Sequence, residues 1–245
     1  MVDIAAQKVA EARRWAGMHI KADRLAAFDK VARKLVGSKA RYQAIEAHLV
    51  SVGMGVPWWF IAVVHEREAD GDFACQLGQG DPLDRVSVHV PAGRGPFFGP
   101  DAFDRSCYDA LIDCDPHAAR WTDWTVGGAL TITEMYNGEG YAMHGRPSPY
   151  VWSGTDQYVS GKYVHDGPDG YDPDVVDVQL GCAPLIARMQ AIDPSIKFAA
   201  APGKWTAGAP AVQPPIPHTT APSLAPAPAP PPPVTTTWWE RLFGR

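Results

Sequence analysis

The sequence predicts a mainly α fold, α+β only by virtue of one minor hairpin, followed by a disordered proline-rich C-terminal tail. Three observations carry this. Apolar residues recur at helical spacing through most of the first 200 residues. Only one stretch, Val86-Ser87-Val88-His89-Val90, alternates in the manner of a strand. Composition then shifts sharply near Ala200, beyond which prolines dominate. With 245 residues, 46% hydrophobic and 20% charged, the chain can bury one good-sized core with length to spare. The expected division is an N-terminal helical arm over residues 1–38, a main domain over 39–200, and a spacer with an aromatic, basic tip over 201–245.

Composition also excludes function classes. A formal net charge of −5 argues against nucleic acid as a partner, since that needs a basic face. No apolar run approaches the roughly 20 residues of a membrane span. The first fifteen residues mix acids and bases without a hydrophobic region, so synthesis in the cytoplasm without a classical secretory signal is expected. Cys75, Cys107, Cys114 and Cys182 are widely spaced and lack the C-x-x-C pattern of a zinc site, so small buried thiols are expected, with disulfides left open. Asp169, Asp172 and Asp174 suggest a calcium loop, but Pro173 and the missing terminal glutamate spoil it. No metal or cofactor is expected.

In chain order, residues 2–16 form an alanine-rich helix ending near Arg13 and Arg14, with an apolar face thin enough for a loosely held arm. Leu25, Phe28, Ala32 and Leu35 make a helical stripe closed by Gly37; Tyr42, Ile45 and Leu49 make another closed by Gly53. The stretch 57–83 organises the rest. Pro57 opens a helix, and residues 58–64 are apolar on every side, the mark of a buried helix. Its end delivers His65, Glu66, Arg67 and Glu68 into a loop rich in glycine. At about 100° per residue, Glu66 and Glu68 point roughly 200° apart, so only one can face a shared cleft. Periodicity does not choose between them, because both stripes are apolar.

Residues 71–100 read as a short hairpin or an irregular lobe beside the glutamates, with His89 a structural or substrate-contacting residue. Helices resume at Asp101: Phe103, Cys107 and Leu111 share one face, and Trp124, Gly128, Thr131 and Met135 share another. Gly127 and Gly128 predict a close helix crossing, and Gly138 a helix end after Tyr136 and Asn137. A polar, aromatic loop over residues 150–172 contains Trp152, Tyr158, Tyr163 and Tyr171, rings of the kind that pack on sugar faces. The last core helix spans about residues 181–192. The tail ends in Trp238, Trp239, Arg241, Leu242, Phe243 and Arg245, suited to weak contact with a membrane surface.

Five motifs in one order then resemble a known group. Glu68-Ala69-Asp70-Gly71-Asp72-Phe73 is similar to the E-S-x-x-N-F signature of lysozyme-like muramidases and lytic transglycosylases. Tyr136-Asn137-Gly138 resembles the segment that those enzymes place across the cleft. The stretches 80–83, 88–94 and 148–153 resemble a phage and prophage cell-wall lysozyme group. The similarity covers about residues 40–190; Ala69 and Asp72 depart from the family's serine and asparagine. It implies a lysozyme-like domain over 39–200, monomeric, that cleaves the β-1,4 bond between N-acetylmuramic acid and N-acetylglucosamine in peptidoglycan. Glu68 would be the general acid, with Asp81, Tyr136, Asn137, Trp152 and Tyr163 binding substrate. Either Asp81 or Asp84 would be the second carboxylate of a hydrolase, and a lytic transglycosylase would need none. The rival expectation is a non-catalytic wall-binding or virion structural protein on the same fold.

Overall fold

The structure, a computed structural model, describes residues 2–165 and 170–206, with the backbone of 211–212. Helix α4 (Trp58–Ala69) is its centre. Aromatic and β-branched residues are poor helix formers, so the run Trp58-Trp59-Phe60-Ile61-Ala62-Val63-Val64 is helical because of packing. All seven residues are buried. At about 1.5–3 kcal/mol for each large apolar side chain removed from water, that burial outweighs the weak propensity. Helices α2 (Leu25–Gly37), α3 (Lys39–Ser51), α6 (Val126–Asn137) and α9 (Cys182–Ile192) supply the surround. Trp59 meets Phe198, Trp124 and Trp205 edge-on, at centroid distances of 5.2, 6.2 and 6.3 Å.

The N-terminal segment is not a loose arm. Helix α1 (Ile4–Gly17), capped by the Asp3 carboxylate on the Ala5 and Ala6 amides, packs along α6. Its buried side is polar as well as apolar: Gln7 and Glu11 lie inward with Trp15. A thin apolar stripe was therefore a poor guide to its docking. Of the two glycines, Gly127 makes the predicted close crossing, for a Cβ there would overlap the backbone of Lys8, whereas Gly128 makes room for Asp123 ahead of its own helix. Helix α2 belongs to the same core through Phe28, Ala32 and Leu35, and its Asp29 accepts from Arg188 of α9 at 2.5 Å.

Past α4 the chain forms an irregular lobe, not a hairpin. Val86, Val88 and Val90 are more than half exposed, while Ser87 is buried and His89 largely so. The alternation thus turns its polar side inward, and Asp81 takes the amides that a partner strand would have used. Helix α5 (Ala102–Tyr108) continues into a π turn (Asp109–Asp113), burying Phe103, Cys107 and Leu111. After α6 come the short α7 (Gly140–Met143) and α8 (Pro149–Trp152). The minor hairpin lies in the aromatic loop: β1 (Lys162–Tyr163) and β2 (Tyr171–Asp172) are antiparallel, with Tyr163 opposite Tyr171.

The composition shift near Ala200 is not the edge of the packed domain. Lys204 donates to the Gly53 carbonyl at 2.9 Å, and the Trp205 indole to Glu46 at 2.6 Å. Strand β3 (Phe198–Ala199) pairs with β4 (Ala211–Val212). The tip from Trp238 to Arg245, with its expected membrane contact, and Asp169 lie outside the described residues. All four cysteines are free, and three of them are buried.

Candidate active site

Packed on all sides, α4 holds its C-terminus in place, and the chain leaves it abruptly. Asp70 and Gly71 adopt left-handed φ values of 53° and 61°, and their amides close the helix on the Glu66 and His65 carbonyls. His65 turns into the core, between the Tyr42 hydroxyl (2.8 Å) and the Asp72 carbonyl (3.0 Å). Burial pushes its imidazole down to about 4, so it stays neutral and pins the departing loop.

The two glutamates separate as their spacing requires. Glu66 faces α2, where the Lys34 ammonium stands 3.5 Å from its carboxylate. Glu68 lines a cavity of about 860 Å³ that Glu66 does not reach. Around Glu68 the walls carry Gln79, Tyr136, Asn137, Tyr150 and Tyr163. The Tyr150 hydroxyl donates to Glu68 Oε1 at 2.8 Å, which leaves Oε2 as the oxygen able to hold a proton. Desolvation by the apolar end of α4 raises the Glu68 carboxyl to about 7, against the opposing pull of the Tyr150 hydrogen bond and the Arg67 charge. Burial also brings Glu66 to about 7, against Lys34. Titration therefore does not distinguish the pair; the cavity does.

Arg67 could have held Glu68 ionised, but its guanidinium pairs with buried Asp177, 110 residues along. Lys162 joins the same carboxylate at 3.2 Å, and Arg67 also sits 5.1 Å over the Tyr150 ring. Asp177 is held below the usual carboxylate range by Arg67 and Lys162, which overcome its burial. The opposite wall comes from the lobe, where His89 and Pro91 line the cavity and Arg94 forms a fork to Asp109 of the π turn.

Of the expected binding residues, Tyr136, Asn137 and Tyr163 line the cavity with Glu68, while Asp81 and Trp152 do not. Tyr136 is partly structural, with its hydroxyl 3.4 Å from the Leu77 carbonyl and its ring edge-on to Phe60. Asp81 is turned into the lobe. One oxygen accepts the Val88 and His89 amides at 2.9 and 3.1 Å, and the other meets His89 Nδ1 at 2.9 Å. Its carboxylate aims an imidazole and cannot face a sugar. Trp152 is fully buried, its indole donating to Glu11 at 2.7 Å, so it has no surface to offer a ligand. Asp84 is exposed and pairs loosely with its neighbour Arg85, at 3.7 Å.

Two groups escaped the sequence reading. Tyr150 lies 82 residues from Glu68, and nothing in its surroundings marks it beyond membership of the 148–153 motif. The ion group of Arg67, Asp177 and Lys162 joins three distant segments with no spacing signal at all. Compared with known protein families, curated proteins and solved structures, the chain matches none.

Proposed function

We propose that this protein degrades peptidoglycan, cleaving the β-1,4 bond between N-acetylmuramic acid and N-acetylglucosamine with Glu68 as the acid. The observation that carries this reading is a carboxyl poised to be protonated near neutral pH, hydrogen-bonded by Tyr150, at a cavity with aromatic and amide walls. That combination suits general acid catalysis on a polar substrate with flat apolar faces. Glu68 gives its proton to the glycosidic oxygen as the bond from that oxygen to C1 breaks. A hydroxyl then adds to C1 and returns its proton to Glu68.

The position of Asp81 bears on which hydroxyl attacks. A hydrolase with a second carboxylate needs one across the sugar. Among the described cavity residues, Asp177 is committed to two cations, while Asp113 and Asp115 are exposed on the wall around residues 110–115. Intramolecular attack by the muramic 6-hydroxyl, giving a 1,6-anhydro end and no net addition of water, needs no second carboxylate, whereas attack by water would draw on Asp113 or Asp115. Mass spectrometry of released muropeptides separates this from hydrolysis, which leaves a reducing end.

The deciding experiment is a zymogram on purified peptidoglycan with wild type, Glu68→Gln and Glu66→Gln. Wild type and Glu66→Gln should clear the wall. Glu68→Gln should lose at least 10²–10⁴-fold in rate while staying folded, because an amide cannot donate the proton. Clearing by Glu68→Gln overturns the assignment. Binding without clearing by the wild type would make the protein a non-catalytic wall-binding module.

A further inference from the structure

The interface between α1 and α6 contains a second pair of carboxyl groups that the proposed chemistry does not use. Glu134 of α6 is 1% exposed and Glu11 of α1 is fully buried. Glu11 is bound by Arg14 and by the Trp152 indole of α8. Glu134 receives the Gln7 side-chain amide on Oε2 at 3.0 Å. The Ala142 amide also approaches this carboxyl, but two buried acceptors have no hydrogen bond of normal geometry among the described residues: Glu134 Oε1 and Gln7 Oε1. They belong to the two members of one hydrogen-bonded pair. Two leftover acceptors on an acid and an amide are what remains when an acidic proton is missing from the count. A protonated carboxyl paired with a primary amide donates one hydrogen bond and accepts one, satisfying both groups at once.

We propose that Glu134, protonated in acid and paired with Gln7, acts as a proton-held latch that fixes α1 against α6 and α8. The consequence for the site follows from chain position and rests on the proposed function. Glu134 stands two residues before Tyr136 and three before Asn137, and Trp152 stands two after Tyr150, the donor to Glu68. Docked α1 therefore braces the two short segments that shape the Glu68 cavity.

Burial and the neighbouring Glu11 charge raise the Glu134 carboxyl to about 7, while Gln7, Arg14 and the Ala142 amide of α7 oppose the shift. Glu11 is raised as well, by burial against Arg14 and Trp152. Lys8, the other cation on this side of α1, is engaged with Asp123 at 2.8 Å. The sign follows from linkage. Docked α1 holds the proton more tightly than released α1, so docking is strongest in acid and weakens as pH rises. The loss begins near 4.5, the ordinary value, and is complete above about 7. Glu11, raised in the same interface, adds to the dependence in the same direction.

Hydrogen exchange of the full chain tests this without any substrate, so failure here is separate from failure of the proposed activity. After correction for the intrinsic pH dependence of exchange, protection of the α1 amides should fall by more than about tenfold between pH 4.5 and 8, one pKa unit being worth that factor. In Glu134→Gln the amide pairs both ways with Gln7 and carries no proton to lose, so most of that dependence should vanish while protection persists at pH 8. Gln7→Glu, which adds a third carboxyl, should release α1 at lower pH than wild type. A wild type whose α1 protection does not vary with pH, or a Glu134→Gln variant that keeps the whole dependence, overturns the latch.

Discussion

Replacing Tyr150 by Phe removes one hydroxyl and tests the argument for an acidic Glu68 more sharply than removing the glutamate. The Tyr150 hydroxyl donates to Glu68 Oε1 at 2.8 Å and lowers a carboxyl that burial otherwise raises to about 7. A hydrogen bond to an ionised acceptor is worth about 1.5–3 kcal/mol, and one to a neutral acceptor about 1. The difference, roughly 0.5–2 kcal/mol, corresponds to about one pKa unit. Without the hydroxyl, Glu68 should stay protonated about one unit higher. The proposed cleavage needs the protonated acid, so its rate should fall as pH rises through the Glu68 value. The alkaline limb of kcat/KM on solubilised peptidoglycan, near 7 in wild type, should therefore move up by about one unit in Tyr150→Phe. The Phe ring keeps its place under Arg67, so the fold should persist. A limb that stays put, or moves down, would refute the claim that Glu68 is the titrating acid and Tyr150 its donor.

Asp81 and Trp205 give two further expectations. Asp81→Asn should lower stability by roughly 2 kcal/mol through loss of the charge on three hydrogen bonds, seen as a fall in Tm of several degrees; an unchanged Tm would mean that the lobe does not depend on this carboxylate. Deleting residues 202–245 should lower Tm substantially, because it strips Trp205 from Trp59, Trp124 and Glu46. Deleting only 213–245, a stretch whose proline-rich composition cannot bury a core, should leave Tm nearly unchanged. Equal Tm values for the two truncations would refute the structural role of Trp205.

The helices were legible wherever one face is apolar and a glycine or proline marks the end. Phe28, Ala32 and Leu35 of α2 belong to this class, and so do the all-apolar turns of α4 and Gly127 at the start of α6. Where the buried face is polar, the same reasoning failed. Helix α1 docks through Gln7 and Glu11, which periodicity counts as solvent-facing. The alternation at Val86–Val90 failed for a related reason. Period two says that alternate residues share a side, but not which side is buried, and here Ser87 and His89 point inward.

The site divides along the same line. Glu68 was reachable because it stands at the end of a helix whose burial the sequence declares, and because helical geometry forces Glu66 to the other side, where Lys34 meets it. What surrounds Glu68 is made by contacts across 82 and 110 residues, Tyr150 to Glu68 and Arg67 to Asp177, and no local pattern encodes such pairs. Asp81 shows the converse. A carboxylate in a glycine-rich loop beside a presumed acid suggests a second catalytic group when only residue type and neighbourhood are known. Two backbone amides and an imidazole decide otherwise, because they use both of its oxygens within the lobe. A carboxylate held in that way positions His89 at the cavity wall and leaves Asp81 itself off the cavity lining, which Glu68 at the end of α4 reaches.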